Sequence, residues 1–420
     1  MKNKALALAV SIAVVLVAGT GIFLLTSCGD KAEVAEAPVE EPEPIINPLT
    51  GATEADGFDP EALDQRIVAV VVENTPDARP QWGMDDEQYS PDIILEGEVE
   101  GGITRTLWFY ADFNKMPEQL GPMRSARPPY IRFSELFDAI FIHWGMSHSK
   151  GDYVGANTVF KEDVVDHINQ MRFTNECGLY DRDHSRNVSG EHTGIIYGDK
   201  VRAAIQEYGC RWHPETPTKL TFNETPQPVS DTPATEIRLD YSARTDWDTT
   251  VWTYNTEDSQ YHTDNFNNNL TRDNLLVLFD ETEYITKSDY QGAGGSVTYC
   301  DYALGGGKGK LFSQGTVKDI EWDVYKKQLI LIDADATAAA QAKADAEAKE
   351  KDEEPVKVKP VTISLNPGKT WIGWASNNNG GKLEVIGGEE GTSEVMGDSA
   401  GQEDDGSESA PGETFEGDAE

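Results

Sequence analysis

Ile67–Val72 (IVAVVV) is an unbroken apolar run, as expected of a strand buried on both faces; a strand with one wet face alternates instead. Ile93–Leu95, Thr104–Tyr110 (TRTLWFY) and Ala139–His143 (AIFIH) read as further strands. Pro129–Phe137 (PYIRFSELF) places apolar residues at helical spacing, with proline near the start, where helices tolerate it. Asp199–Tyr208 (DKVRAAIQEY) does the same and stops at Gly209. Strands interleaved with helices predict an N-terminal mixed α/β layered domain over residues 47–210. A Pro- and Thr-rich stretch, 211–233, reads as a linker. The pattern then becomes strand-like throughout, at Glu236–Tyr241, Asp248–Asn255, Asn274–Phe279, Gly295–Ala303, Gly309–Ser313, Asp319–Asp333 and Val361–Trp374. It predicts a β-rich C-terminal domain over 234–376 and an α+β class overall. Residues 334–359 are Ala-, Glu- and Lys-rich without an apolar stripe, the pattern of a solvated helical insertion.

Both ends of the chain depart from this pattern. Lys2 and Lys4 precede the apolar run Ala5–Leu25, which closes on Leu25-Thr26-Ser27-Cys28. Residues 1–28 therefore look like a bacterial lipoprotein signal, cleaved before Cys28 and lipidated on its thiol. The run is long enough to cross a bilayer, so an uncleaved anchor helix is the alternative. Either arrangement leaves the rest of the chain extracytoplasmic. Residues 29–46 are acidic and Pro-rich, a tether, and 377–420 are Gly-, Asn- and acid-rich, expected to be a disordered tail.

Charge narrows the partners. With 74 acidic against 35 basic residues and a net charge of -39, the chain should repel nucleic acid. Anionic headgroups should repel it too, so attachment to a membrane must be hydrophobic or covalent. Besides Cys28 there are Cys177, Cys210 and Cys300, either with Cys177 and Cys210 paired or with all three thiols unpaired. No CxxC, HExxH, P-loop, EF-hand loop or complete dinucleotide fingerprint occurs and Ser125 lies in no GxSxG elbow, so neither a metal nor a cofactor is expected.

Candidate chemistry concentrates in Glu96–Pro128. Glu96, Glu98 and Glu100 alternate, which on a strand projects them from one face. Like charges so placed need cations opposite, and Arg105, Arg124 and Arg127 are nearest in sequence. One outcome is a sealed Arg–Glu network. Another is a cleft in which the arginines grip a carboxylate or phosphate bidentately, joined by His143 at a strand end and by His192. The leading expectation is binding of an envelope ligand or protein partner through this site, with no chemistry. The alternatives are a hydrolase of an envelope polymer using Glu96 or Glu100 with His143, or a structural component of an envelope assembly. Trp247, Trp252, Tyr254 and Tyr261 suit sugar stacking or, more simply, sheet packing.

The strings NPLTG, VAVVVEN, ARPQ, EGEVEGGITR, GPMRSARP and a late LNPGKTW together resemble the YerB-type lipoproteins. These carry paired N- and C-terminal domains of unknown function. The resemblance covers most of Asn47–Trp374 and falls on Asn74, Arg79, Pro80, Glu96, Glu100–Gly102, Thr104, Arg105, Gly121, Pro122, Arg124, Ser125, Arg127 and His143. It implies a bacterial envelope lipoprotein with the same two-domain division, and it transfers no activity. His192 stands where the family has a His-Asn pair, with Thr193 replacing Asn. The helical insertion and the acidic tail are further departures.

Overall fold

The computed structural model describes residues 45–387, except 164, 173, 219, 246–247, 291–294 and 352–353. The signal with Cys28, nearly all of the tether, Trp247 and residues 388–420 thus lie outside the described residues. The first part of the chain forms β1 (Val68–Glu73), β2 (Ile93–Glu98), β3 (Thr104–Tyr110), β4 (Gln119–Leu120) and β5 (Ile140–His143). It continues through β6 (His167–Asn169), β7 (Tyr180–Arg182) and β8 (Gly194–Tyr197), with helices α1 (Pro128–Glu135), α2 (Ala156–Glu162) and α3 (Val201–Tyr208). Next come β9 (Glu236–Asp240), β10 (Thr250–Asn255), β11 (Gln260–Thr263), β12 (Leu270–Arg272), β13 (Asn274–Asp280), β14 (Thr282–Tyr290) and β15 (Gly295–Tyr302). The chain ends with β16 (Gly307–Ser313), β17 (Thr316–Val324), β18 (Leu329–Ile332), α4 (Ala334–Glu350), β19 (Thr370–Ser376) and β20 (Lys382–Ile386).

The α+β class holds, but the two expected domains do not have separate sheets. One ten-stranded sheet runs β18-β17-β16-β13-β19-β2-β3-β1-β5-β6. Its seam is β19, which pairs in parallel with β13 on one side and β2 on the other. Sequence patterning fixes that such a strand is buried, not which strands flank it.

The faces of this sheet explain its run of apolar residues. On one face, Val68, Val70, Val72, Ile94, Trp108 and Trp371 pack with Leu239, Trp252 and Tyr261 of the five-stranded sheet β12-β11-β10-β9-β20. On the other, Ala69, Val71, Leu95, Leu107, Phe109 and Trp374 meet Tyr130, Ile131 and Phe133 of α1 and Val159 and Phe160 of α2. Burial on both sides removes the need for alternation.

Several local expectations change. Asp319–Asp333 is a hairpin and not one strand, because Lys326 and Lys327 adopt positive φ (52° and 57°) and reverse the chain between β17 and β18. Lys382–Ile386, expected within the tail, forms β20 against β9, since Leu383 and Val385 alternate inward. The helical part of the insertion is α4 alone, capped by the Asp333 carboxylate accepting from Ala336 N–H. The 211–233 stretch is irregular yet docked, with Phe222 bridging to Leu365 and Pro233 to Thr316. Cys177, Cys210 and Cys300 are free thiols. No helix among the described residues is long and apolar enough to cross a membrane.

Candidate functional site

The candidate residues, from the charged stretch and from His143 and His192, fall into four separate environments. Glu96, on β2, is sealed between the two sheets and accepts from Asn74 Nδ2 (2.8 Å), Thr104 Oγ1 (3.2 Å), Thr250 Oγ1 (3.3 Å) and Trp371 Nε1 (3.1 Å). Burial pushes its carboxyl pKa upward despite those donors. Glu98 is also buried, accepts from the Tyr284 hydroxyl at 2.7 Å and is likewise raised by burial.

Glu100 sits just beyond β2 and collects both nearby cations. Arg127 donates from Nε to Oε2 at 2.8 Å and from Nη2 to Oε1, and Arg105 Nη2 donates to Oε1 at 2.5 Å. Burial opposes ionisation, but the Arg105 and Arg127 charges outweigh it and hold the carboxyl below its usual range. Arg105 and Arg127 are 3% and 6% exposed, which makes this a sealed network and leaves no cleft between them.

Arg124 and His192 belong to a third group. Arg124 Nη2 reaches Glu73 Oε1 at 2.8 Å and Glu191 Oε2 at 3.2 Å, and His192 Nδ1 lies 2.9 Å from Glu73 Oε2. The hydrogen bond to Glu73 raises the His192 pKa. His143 is core: Nδ1–H donates to the Gly145 carbonyl at 2.6 Å, Nε2 accepts from His167 at 2.9 Å, and the ring stacks on Phe160. Burial pushes its pKa down to about 3, so the ring is neutral. No hydrogen bond or ion pair joins it to Glu96 or Glu100 among the described residues, so the pairing a hydrolase would need is not assembled.

A cavity of about 850 Å³ lies elsewhere, lined by Asp112 and Lys115 of the charged stretch but by none of Glu96, Glu98, Glu100, Arg105, Arg124 and Arg127. Two of the sequence strings meet at its wall. Asn47 of NPLTG turns its own loop by accepting from Leu49 N–H (2.8 Å) and Thr50 N–H (3.2 Å). The Thr50 carbonyl then accepts from Gly368 N–H of NPGKTW at 2.8 Å. Gly368 has φ +132°, and a Cβ there would come within 2.2 Å of the Asp273 carboxylate, so glycine is required.

Arg272, at the end of β12, lines this cavity while only 1% exposed. Its Nη1 donates to the Thr271 carbonyl at 2.7 Å, while Nε and Nη2 are buried with no partner among the described residues. Burial lowers its pKa to about 10. Lys369 beside it donates to the carbonyl and hydroxyl of Ser90 (2.9 and 2.8 Å), and burial, then the Arg272 charge, bring it down to about 8. Asp92 forms no ion pair with either among the described residues; it accepts from Ala111 N–H at 2.8 Å, burial raises its pKa, and its charge acts on Arg272 and Lys369 from a distance. The buried Tyr110 hydroxyl, within reach of the Asp92 and Arg272 charges, is also unpartnered among the described residues. Asp85, Asp86 and Glu87 line the cavity as well. Sequence reasoning missed Arg272 and Lys369; the LNPGKTW string was the available signal, but it was not linked to any charge.

Residues 49–211 match the family model for the N-terminal domain of DUF3048, and 236–343 match that for its C-terminal domain, each described as a protein of unknown function. The chain belongs to the DUF3048 family. This DUF3048 chain is 28% identical over 311 residues to "Putative lipoprotein YerB" of Bacillus subtilis strain 168, covering 71% of the chain and 83% of that protein. The crystal structure of YerB from Bacillus subtilis is similar with a TM-score of 0.56 and 25% identity, over 79% of the chain and 96% of YerB. In the DUF3048 chain, the cavity draws on residues from both matched segments and on Gly368 and Lys369 beyond them.

Proposed function

We propose that this protein is an extracytoplasmic lipoprotein, anchored through Cys28, that binds a carboxylate-bearing ligand of the cell envelope. The lipid anchor is supported by the LTSC string closing an apolar run and by the name given to the YerB relative. The binding reading rests on one observation: the buried Nε and Nη2 edge of Arg272, a residue that lines an 850 Å³ cavity, has no partner among the described residues. That edge offers two parallel N–H donors, the geometry a carboxylate accepts bidentately. An unpaired buried charge is costly, which is tolerable where a ligand supplies the partner. The volume lies within the range of small-molecule sites, roughly 300–1,000 Å³. The sealed Glu100–Arg105–Arg127 network is then a support for the fold, and ligand contact moves to Arg272 and Lys369.

Isothermal titration of the full-length protein in detergent with sodium glutarate tests this. Wild type should bind, and Arg272→Met should lose at least about tenfold in affinity, the loss expected of one charge-assisted bidentate contact. Absence of binding to wild type, or equal binding to the variant, overturns the reading.

A further inference from the structure

The cavity is not uniformly cationic. Buried Arg272, half-buried Lys369 and Lys115, which lies 3.7 Å from Asp112, carry its positive charge, whereas Asp85, Asp86 and Glu87 form a consecutive acidic triplet along its lining, with Asp85 and Glu87 exposed. None of the three forms an ion pair among the described residues. Asp86 Oδ1 accepts from Gln88 N–H (3.0 Å) and Tyr89 N–H (2.7 Å), which fixes the loop, and the Asp86 charge reaches Lys369 without an ion pair.

This arrangement restricts the ligand beyond its carboxylate. A plain anion would gain Arg272 but would have to pass the acidic triplet and be repelled by it. A plain cation would be held by the triplet but repelled by Arg272 and Lys369. We infer that the ligand is dipolar, with a carboxylate at one end and an amine at the other, as in an amino acid or short peptide. The carboxylate takes the unpartnered Nε and Nη2 donors of Arg272, and the ammonium group faces Asp85 and Asp86. This rests on the carboxylate reading above and adds the second charge.

Three probes with the same five-carbon backbone separate the two statements: δ-aminovalerate (dipolar), glutarate (dianionic) and cadaverine (dicationic). Each is titrated into the full-length protein in detergent. In wild type, δ-aminovalerate should bind about five- to tenfold more tightly than glutarate, the yield of one or two exposed charge pairs. The difference should shrink with added salt, because exposed charges are screened. The double variant Asp85→Asn/Asp86→Asn keeps the Asp86 side-chain acceptor and so the loop. It should abolish the preference while glutarate binds unchanged or more tightly. Arg272→Met should abolish binding of both. If glutarate binds wild type as tightly as δ-aminovalerate, the dipolar inference fails and carboxylate binding stands. If neither binds, or cadaverine binds most tightly, both fail.

Discussion

Arg127 and Arg272 present the same guanidinium edge, Nε with Nη2, to opposite surroundings. At Arg127 that edge is filled by the Glu100 carboxylate, to which Arg105 also donates. At Arg272, a residue that lines a cavity, the edge is equally buried and has no protein acceptor among the described residues. The first arginine completes the folded core, whereas the second costs the fold energy that only an external partner can return. A charged cluster that stands out in a sequence stands out because its members are numerous, and numerous opposite charges tend to satisfy one another. The arginine left for a ligand is inconspicuous because its partner is not encoded.

The sharpest test of this contrast is stability. Arg127→Met leaves Glu100 buried with a reduced complement of cations and should cost about 3–5 kcal/mol in urea unfolding. Arg272→Met removes an unpaired buried charge and should raise stability by about 1–2 kcal/mol. Equal losses in the two variants would erase the distinction.

Acid should act on the first site with a defined sign. The Glu100 pKa is lowered in the fold, so its contribution is present above its unfolded value near 4.5 and lost as pH falls through the folded value. Glu100→Gln should remove this part of the acid sensitivity and cost about 2–3 kcal/mol at neutral pH, because two buried arginines lose their counter-ion. Unfolding curves of both proteins across acidic pH read it directly.

Alkali should act on the second. Lys369, lowered to about 8, is charged below that pH and increasingly neutral above it, so glutarate affinity should fall as pH rises past about 8. Between about 8 and the ordinary lysine value of 10.5 the unfolded chain binds a proton that the folded chain does not, so this group makes stability rise with pH. Lys369→Met should flatten both trends.

The smallest effect belongs to the Glu73–His192 pair. His192 is raised, so its contribution is full below about 6.5 and fades as pH rises through the folded value, while that of Glu73, which is lowered, is present above about 4.5. Their joint contribution is therefore greatest between about 4.5 and 6.5. His192→Gln should cost about 1 kcal/mol in that window and less at higher pH.

The strands of the central sheet were legible wherever burial on both faces left an unbroken apolar run, as at Val68–Val72 and Leu275–Phe279. β14, TEYITKSDY, was not: it forms a two-stranded ribbon with β15 outside the large sheets, so no deep core selects its residues. Glu96, Glu100, Arg105 and Arg127 were legible as an unusual cluster, and a sealed network was one of the expected outcomes. Their separation from Arg124, His192 and His143 was not, because the strand pairings that part them are made over long sequence distances. Arg272 gave no local sign in LTRDN. In the fold its neighbour Asp273 accepts from Lys369 N–H (2.7 Å) and Gln260 Nε2 (3.0 Å), and its charge acts on Arg272 without a hydrogen bond.

The position of β19 has a consequence for how the protein is made. Ile93 pairs with Thr370, so β2, completed early in synthesis, keeps a bare hydrogen-bonding edge until nearly the whole chain has emerged. An apolar strand with an open edge is a template for intermolecular pairing. Contacts between residues so distant in sequence also make folding slow, because loop closure precedes any gain from pairing. Vectorial folding, one domain after another, is therefore closed to this topology. A gene fragment ending before Thr370 would leave β2 and β13 without their shared neighbour.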